Sequence, residues 1–136
     1  MIKLNDVVKF LDENPIQYLA TVGLDGKPKV RPFMFMLEKE GKLYYCTSNQ
    51  KPLYKEISNN PNVEITTASP EFVWLRFSGK VVFSDDIEIK KAIIEKSEIV
   101  KAQYQTAANP DFEILYLEGK ATIADFSGEP PKEYYL

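Results

Sequence analysis

The chain has 136 residues, 44% of them hydrophobic and 27% charged, a globular make-up that excludes disordered, collagenous and coiled-coil classes. Its formal net charge of −3 gives no general attraction to nucleic acid or to an anionic membrane. A single cysteine, Cys46, and the complete absence of histidine exclude a disulfide framework, a Cys/His zinc site and a Ser-His or Cys-His catalytic pair. Any chemistry must then come from a cofactor, or from carboxylates and tyrosines.

Asn5 and Asp6 precede apolar residues at helical spacing and Asn14-Pro15 closes the run, predicting a short helix at about residues 5–13. Residues 16–22 are β-rich, Leu24-Asp25-Gly26-Lys27 reads as a tight turn, and residues 28–37 resume as a strand, giving a hairpin. A second turn at Glu40-Gly41-Lys42 leads into Leu43-Tyr44-Tyr45-Cys46-Thr47, a strand expected to pair with the one before it. Pro52 suits the first turn of a helix that carries Leu53, Tyr54 and Ile57 and stops at Asn59-Asn60-Pro61.

Val63-Glu64-Ile65-Thr66-Thr67 alternates apolar and polar residues, and a longer β-rich stretch follows at residues 72–83. Asp85 and Asp86 open a helix whose Ile89, Ala92, Ile93 and Ile94 share one face, with a second helix continuing through Tyr104. Residues 112–117 and 121–126 read as two strands around a turn at Glu118-Gly119-Lys120. Residues 127–136 read as an irregular tail, with Tyr134, Tyr135 and Leu136 available to dock.

No repeat or linker interrupts the chain, so a single domain over residues 1–136 is expected. Six or seven strands with short flanking helices, hairpins and no βαβ alternation make the expected fold mainly β. A small antiparallel barrel is the economical form, because closure removes exposed edges. No signal-like start or membrane-length apolar run is visible, so the expected location is the cytoplasm.

The segment over residues 44–57 offers an anion a place to sit. Thr47, Ser48, Asn49 and Lys51 place two hydroxyls, an amide and a cation at a helix start, where free N–H groups and the helix dipole favour negative charge. Ordinary capping by Ser48 or Asn49, with Lys51 in solvent, is the reading that spacing alone favours. Arg31, in the strand expected to pair with residues 43–47, would add a second cation, or else lie on a surface strand face. Farther along, Val73, Leu75 and Phe77 form a core face, while Trp74, Arg76 and Ser78 point the other way and suit a subunit interface or a flat aromatic ligand, or else Trp74 covers a hydrophobic gap at an edge.

Taken in order, these pieces resemble the pyridoxamine 5′-phosphate oxidase-like superfamily of FMN-binding split barrels, especially short members similar to the nitroimidazole-resistance proteins. The resemblance rests on Leu19-Ala20-Thr21-Val22, Asp25-Gly26-Lys27-Pro28, Val30-Arg31-Pro32-Phe33, Tyr45-Cys46-Thr47-Ser48-Asn49-Gln50-Lys51, Trp74-Leu75-Arg76-Phe77-Ser78-Gly79 and Gly119-Lys120-Ala121-Thr122-Ile123. It implies a six- or seven-stranded antiparallel split β-barrel and a homodimer with two FMN sites between the subunits. Arg31 and Lys51 would hold the phosphate, with hydrogen bonds from Thr47, Ser48 and Asn49. The isoalloxazine would lie along the backbone of Pro32, Phe33 and Met34, and Trp74 and Arg76 of the other subunit would close the site. The arginine-bearing C-terminal segment with which true pyridoxamine phosphate oxidases hold their substrate has no counterpart in residues 125–136, so vitamin B6 oxidation is not expected.

The leading expectation is an FMN-dependent oxidoreductase passing electrons between a small-molecule donor and a flat nitro or quinone-like acceptor. No side chain is assigned a catalytic role, and no metal is expected. An FMN-binding sensory or carrier module without turnover is the second reading, and a barrel used only for protein interaction the third.

Overall fold

The computed structural model describes residues 2–136. Four helices and eight strands follow in the order α1 (Leu4–Glu13), β1 (Gln17–Val22), β2 (Pro28–Phe33), β3 (Leu37–Lys39), β4 (Lys42–Ser48), α2 (Pro52–Asn59), β5 (Asn62–Ala68), β6 (Trp74–Ser84), α3 (Ile87–Lys96), α4 (Glu98–Tyr104), β7 (Phe112–Ala124) and β8 (Lys132–Tyr135). Every strand pairing is antiparallel, in the spatial order β2-β1-β5-β6-β7-β4-β3, with β8 added beside β7. The two ends of this path, β2 and β3, do not pair. The result is a split barrel rather than a closed one.

The split corrects the expectation of one strand over residues 28–37 paired with residues 43–47. β2 pairs only with β1, and β4 pairs with β3 and β7. Pro28 and Pro32 have no N–H to give to a ladder, which keeps β2 on an edge. Between β2 and β3 the chain crosses through Met34-Phe35-Met36, pinned from inside by Gln17. The Gln17 carbonyl oxygen accepts from the Phe35 N–H at 3.1 Å and the Tyr45 hydroxyl at 3.3 Å, while its amide donates to the Leu11 carbonyl at 3.0 Å. One fully buried glutamine therefore ties α1, the crossing and β4 together.

A second correction concerns Gly119. Residues 112–117 and 121–126 are not two strands around a turn but one strand, β7, paired with β6 from Ile114 to Ala124. Gly119 stands opposite Gly79, and a Cβ on either would overlap the other strand's backbone. Glycine here permits a close approach rather than a reversal. The Gly119 N–H and carbonyl also bond with the Leu136 backbone at 3.1 and 2.8 Å, so the end of the tail forms an eighth strand, while residues 127–131 are irregular as expected.

Two hydrophobic clusters result. Leu19, Ile65, Leu75, Phe77, Leu115 and Ala121 fill the barrel interior beneath α1, and Tyr134 and Leu136 of the tail pack against them. Ile89, Ile93, Val100, Tyr104, Phe112 and Ile114 form a second cluster where α3 and α4 cover the outside of β4 and β7. Because β4 sends Leu43 and Tyr45 to the first and Tyr44 to the second, it is buried on both faces. The Asp86 carboxylate caps α3, accepting from the Glu88 and Ile89 N–H groups at 3.0 and 3.4 Å. Among the described residues no helix is long and apolar enough to cross a membrane.

We expect Gly119→Ala to lower stability by about 1–3 kcal/mol, since the added methyl meets backbone that cannot move aside. Urea denaturation followed by circular dichroism measures this. An unchanged midpoint would contradict the close-approach role.

Candidate functional site

β3 pairs with only the first residues of β4, from Lys42 to Tyr44, so the rest of β4 has a free edge facing β2 across the split. A cavity of about 280 Å³ lies there, lined by Arg31, Pro32 and Phe33 on one side and Thr47, Lys51 and Leu53 on the other. It shares Pro32, Phe33 and Lys51 with an adjoining cavity of about 330 Å³, walled by Met34, Met36, Cys46, Ile99, Val100 and Tyr104. Arg31 and Lys51 therefore meet as the sequence suggests, but across a gap rather than through strand pairing.

Thr47 carries the clearest sign of an absent partner. It is 2% exposed, and its hydroxyl is the one buried side-chain polar atom among the described residues without a hydrogen bond. Such a group costs about 1–3 kcal/mol of desolvation, so buried hydroxyls are normally satisfied. Lys51, the residue before the first turn of α2, has no ion pair among the described residues and lines both cavities. Arg31 is engaged on one side: Nη1 donates to Thr21 Oγ1 at 2.7 Å and Nη2 to Glu56 Oε1 at 2.6 Å. Phe33 is held by parallel stacking on Tyr45, with ring centroids 5.2 Å apart.

Ser48 and Asn49 build the turn and line neither cavity. The Ser48 hydroxyl accepts from the Gln50 N–H at 3.1 Å, and the Asn49 amide donates to the Pro110 carbonyl at 2.8 Å and the Glu113 carboxylate at 2.9 Å. Trp74 and Arg76 sit elsewhere, on the outward face of β6. The Trp74 ring lies 4.8 Å from that of Phe126, and Arg76 Nε stands 4.0 Å from the Glu64 carboxylate. Within one chain they do not reach the cavity.

Sequence spacing does not disclose Glu56, Thr21 or Tyr104 as neighbours of the site. The one local signal is that Glu56 interrupts the buried face of α2, between Leu53 and Ile57. Burial pushes the Cys46 thiol up to about 12 against the pull of Lys51, and burial likewise pushes Tyr104 up to about 12. Both remain protonated at neutral pH, so neither is a ready nucleophile or base. The arrangement suits binding: cationic and hydroxyl donors at one end, and a largely apolar cavity at the other.

The sequence model of a family described as pyridoxamine 5′-phosphate oxidase matches residues 5–123. A NimC/NimA family protein from Clostridium acetobutylicum is 34% identical with a TM-score of 0.88, the match covering 98% of this chain and 92% of that one. A pyridoxamine 5′-phosphate oxidase-related, FMN binding protein from Nostoc punctiforme shares the fold at 18% identity and a TM-score of 0.73, over 95% and 87% of the two chains. A heme binding protein from Mycobacterium smegmatis does so at 14% identity and 0.73, with 99% of this chain covering 59% of that one. Among curated proteins none matches the chain.

Two outcomes check the site as built. Thr47→Val, which replaces the orphaned hydroxyl by a methyl of like size, should leave stability unchanged or raise it by up to about 1 kcal/mol, as read by urea denaturation. A loss of stability would mean the hydroxyl already has its partner. Cys46 should be alkylated by iodoacetamide at pH 7.5 about a hundredfold or more slowly than free cysteine, and at an ordinary rate once urea unfolds the chain.

Proposed function

The chain belongs to the pyridoxamine 5′-phosphate oxidase family, and from that footing we propose that it binds FMN in the split of the barrel and works as a flavin-dependent oxidoreductase on a small flat acceptor, nitro or quinone-like. The observation that carries this is the orphaned Thr47 hydroxyl in one cavity with the unpaired Lys51 ammonium and with Arg31, continuous with an apolar slot. A phosphate supplies the acceptors this end needs, and an isoalloxazine fits the character of the other.

In this reading Lys51, Arg31 and Thr47 hold the phosphate, and the turn of Ser48 and Asn49 supports it. Pro32, Phe33 and Met34 present the edge along which the ring lies. Because Trp74 and Arg76 are remote from their own chain's cavity, they serve the site only from a second copy, which makes the working unit a homodimer. Exposed Tyr18 and Val30 on the same outer sheet face, at 45% and 68%, give that association an apolar footing. A cytoplasmic location accords with a reduced Cys46.

Bound FMN supplies hydride or electron transfer, and the protein supplies binding, orientation and exclusion of water. Cys46 and Tyr104, which wall the apolar cavity, are both held in the neutral form at neutral pH and supply no base there. That same observation favours, as a second reading, an FMN carrier or sensor without turnover. Anaerobic reduction by a nicotinamide cofactor, then reoxidation by nitro or quinone acceptors, separates the two.

Purified protein should quench FMN fluorescence on titration, and Lys51→Ala should weaken that binding by about 1.5–3 kcal/mol, roughly ten- to a hundredfold in Kd. Unchanged affinity would remove Lys51 from the site, and no binding at all by the parent protein would end both flavin readings. Sedimentation should find a dimer. A monomer that holds FMN tightly would contradict a site shared between subunits.

A further inference from the structure

Arg31 does more in this structure than supply a charge. Its planar guanidinium has five N–H donors. Nη1 donates to Thr21 Oγ1 at 2.7 Å and to the Leu19 carbonyl at 3.4 Å, and Nη2 donates to Glu56 Oε1 at 2.6 Å. The Thr21 hydroxyl in turn donates to the same Glu56 oxygen at 2.8 Å. Hydroxyl, carboxylate and guanidinium thus close a ring in which each proton has an acceptor. Thr21 and Glu56 come from β1 and α2, both are buried, and Glu56 lies 25 residues from Arg31.

The 2.8 Å between Thr21 Oγ1 and Glu56 Oε1 sets both acceptors along the Nη1/Nη2 edge of the fork. Nε–H and the remaining Nη2 hydrogen have no acceptor among the described residues. In a planar guanidinium those two point in parallel from the adjacent edge, the pair that grips an oxyanion bidentately. Arg31 lines the cavity that holds Thr47 and Lys51, and its side chain is 25% exposed. A buried ion pair is a poor device for stability alone, because desolvation offsets its attraction. It is a good device for fixing a direction.

We propose that Glu56, with Thr21, is a positioning residue: the two brace Arg31 so that its free Nε/Nη2 edge meets a phosphate monoester. This rests on the FMN reading above and deepens it. The brace neutralises Arg31 within the protein, so Lys51 provides the uncompensated charge and Arg31 the directed hydrogen bonds. The consequence is discrimination between phosphorylated flavin and riboflavin, which has the same ring and no phosphate.

The test measures Kd for FMN and for riboflavin by fluorescence quenching in the parent protein and in Glu56→Ala, Glu56→Gln and Thr21→Val. The parent should prefer FMN. Glu56→Ala and Thr21→Val should weaken FMN binding about five- to thirtyfold while riboflavin stays within about twofold, because only the phosphate loses its directed contact. Glu56→Gln keeps an acceptor for Arg31 and should lose less than Glu56→Ala. If Glu56→Ala does not fold, the near-isosteric Thr21→Val carries the test. Variants that keep the parent's preference for FMN, that weaken both flavins equally, or that bind FMN more tightly would each overturn the brace while leaving the flavin site standing. A parent protein with no preference for FMN would overturn the phosphate site itself, and the brace with it.

Discussion

Two edge strands that do not zip together hold open the space on which the site depends. Were β2 to pair with β4, the backbone between Arg31 and Thr47 would be satisfied by a ladder and no cavity would remain between them. The chain prevents this in two ways. Pro28 and Pro32 deprive β2 of donors, and Gln17 holds the Phe35 crossing so that the path turns away to β3 before β4 begins. Exposed edges are normally a hazard in β proteins. Here one edge is short, the other carries prolines, and the gap between them is a cavity lined by Arg31, Thr47 and Lys51.

The opposite side of the barrel supplies the rigidity that the split gives up. β6 and β7 pair along their full shared length, and the Gly79-Gly119 contact brings the two backbones closer than any side chain would allow. β7 serves both hydrophobic clusters, one inside the barrel and one beneath α3 and α4, while β6 serves the first. Across the split, stability is traded the other way. Thr47 gives up hydration without gaining a partner, and the Glu56 carboxylate is buried against the partly exposed Arg31.

What was legible in the sequence followed local periodicity. The α3 face of Ile89, Ile93 and Ile94, the alternation of Leu75 and Phe77, and the β1–β2 hairpin all depend on neighbours within a few residues. Gly119 misled because a glycine between Glu and Lys looks the same in a turn as at a close strand contact; only its partner Gly79, forty residues away, decides. The tail was unreadable for a similar reason, since β8 exists only by pairing with β7. At the site, Lys51, Thr47 and Arg31 could be singled out by residue type. The bond from Glu56 to Arg31 joins an α2 face to an edge strand and has no signature in spacing.

On the proposed function, a flavin phosphate completes the donor set of Arg31, Thr47 and Lys51. A crystal structure of the protein grown with FMN tests it most directly. Phosphate density should lie within hydrogen-bond distance of Thr47 Oγ1, Lys51 Nζ and the Nε/Nη2 edge of Arg31, with the Arg31–Glu56 contact intact. Phosphate density elsewhere on the chain, with Thr47 still unpartnered, would contradict it.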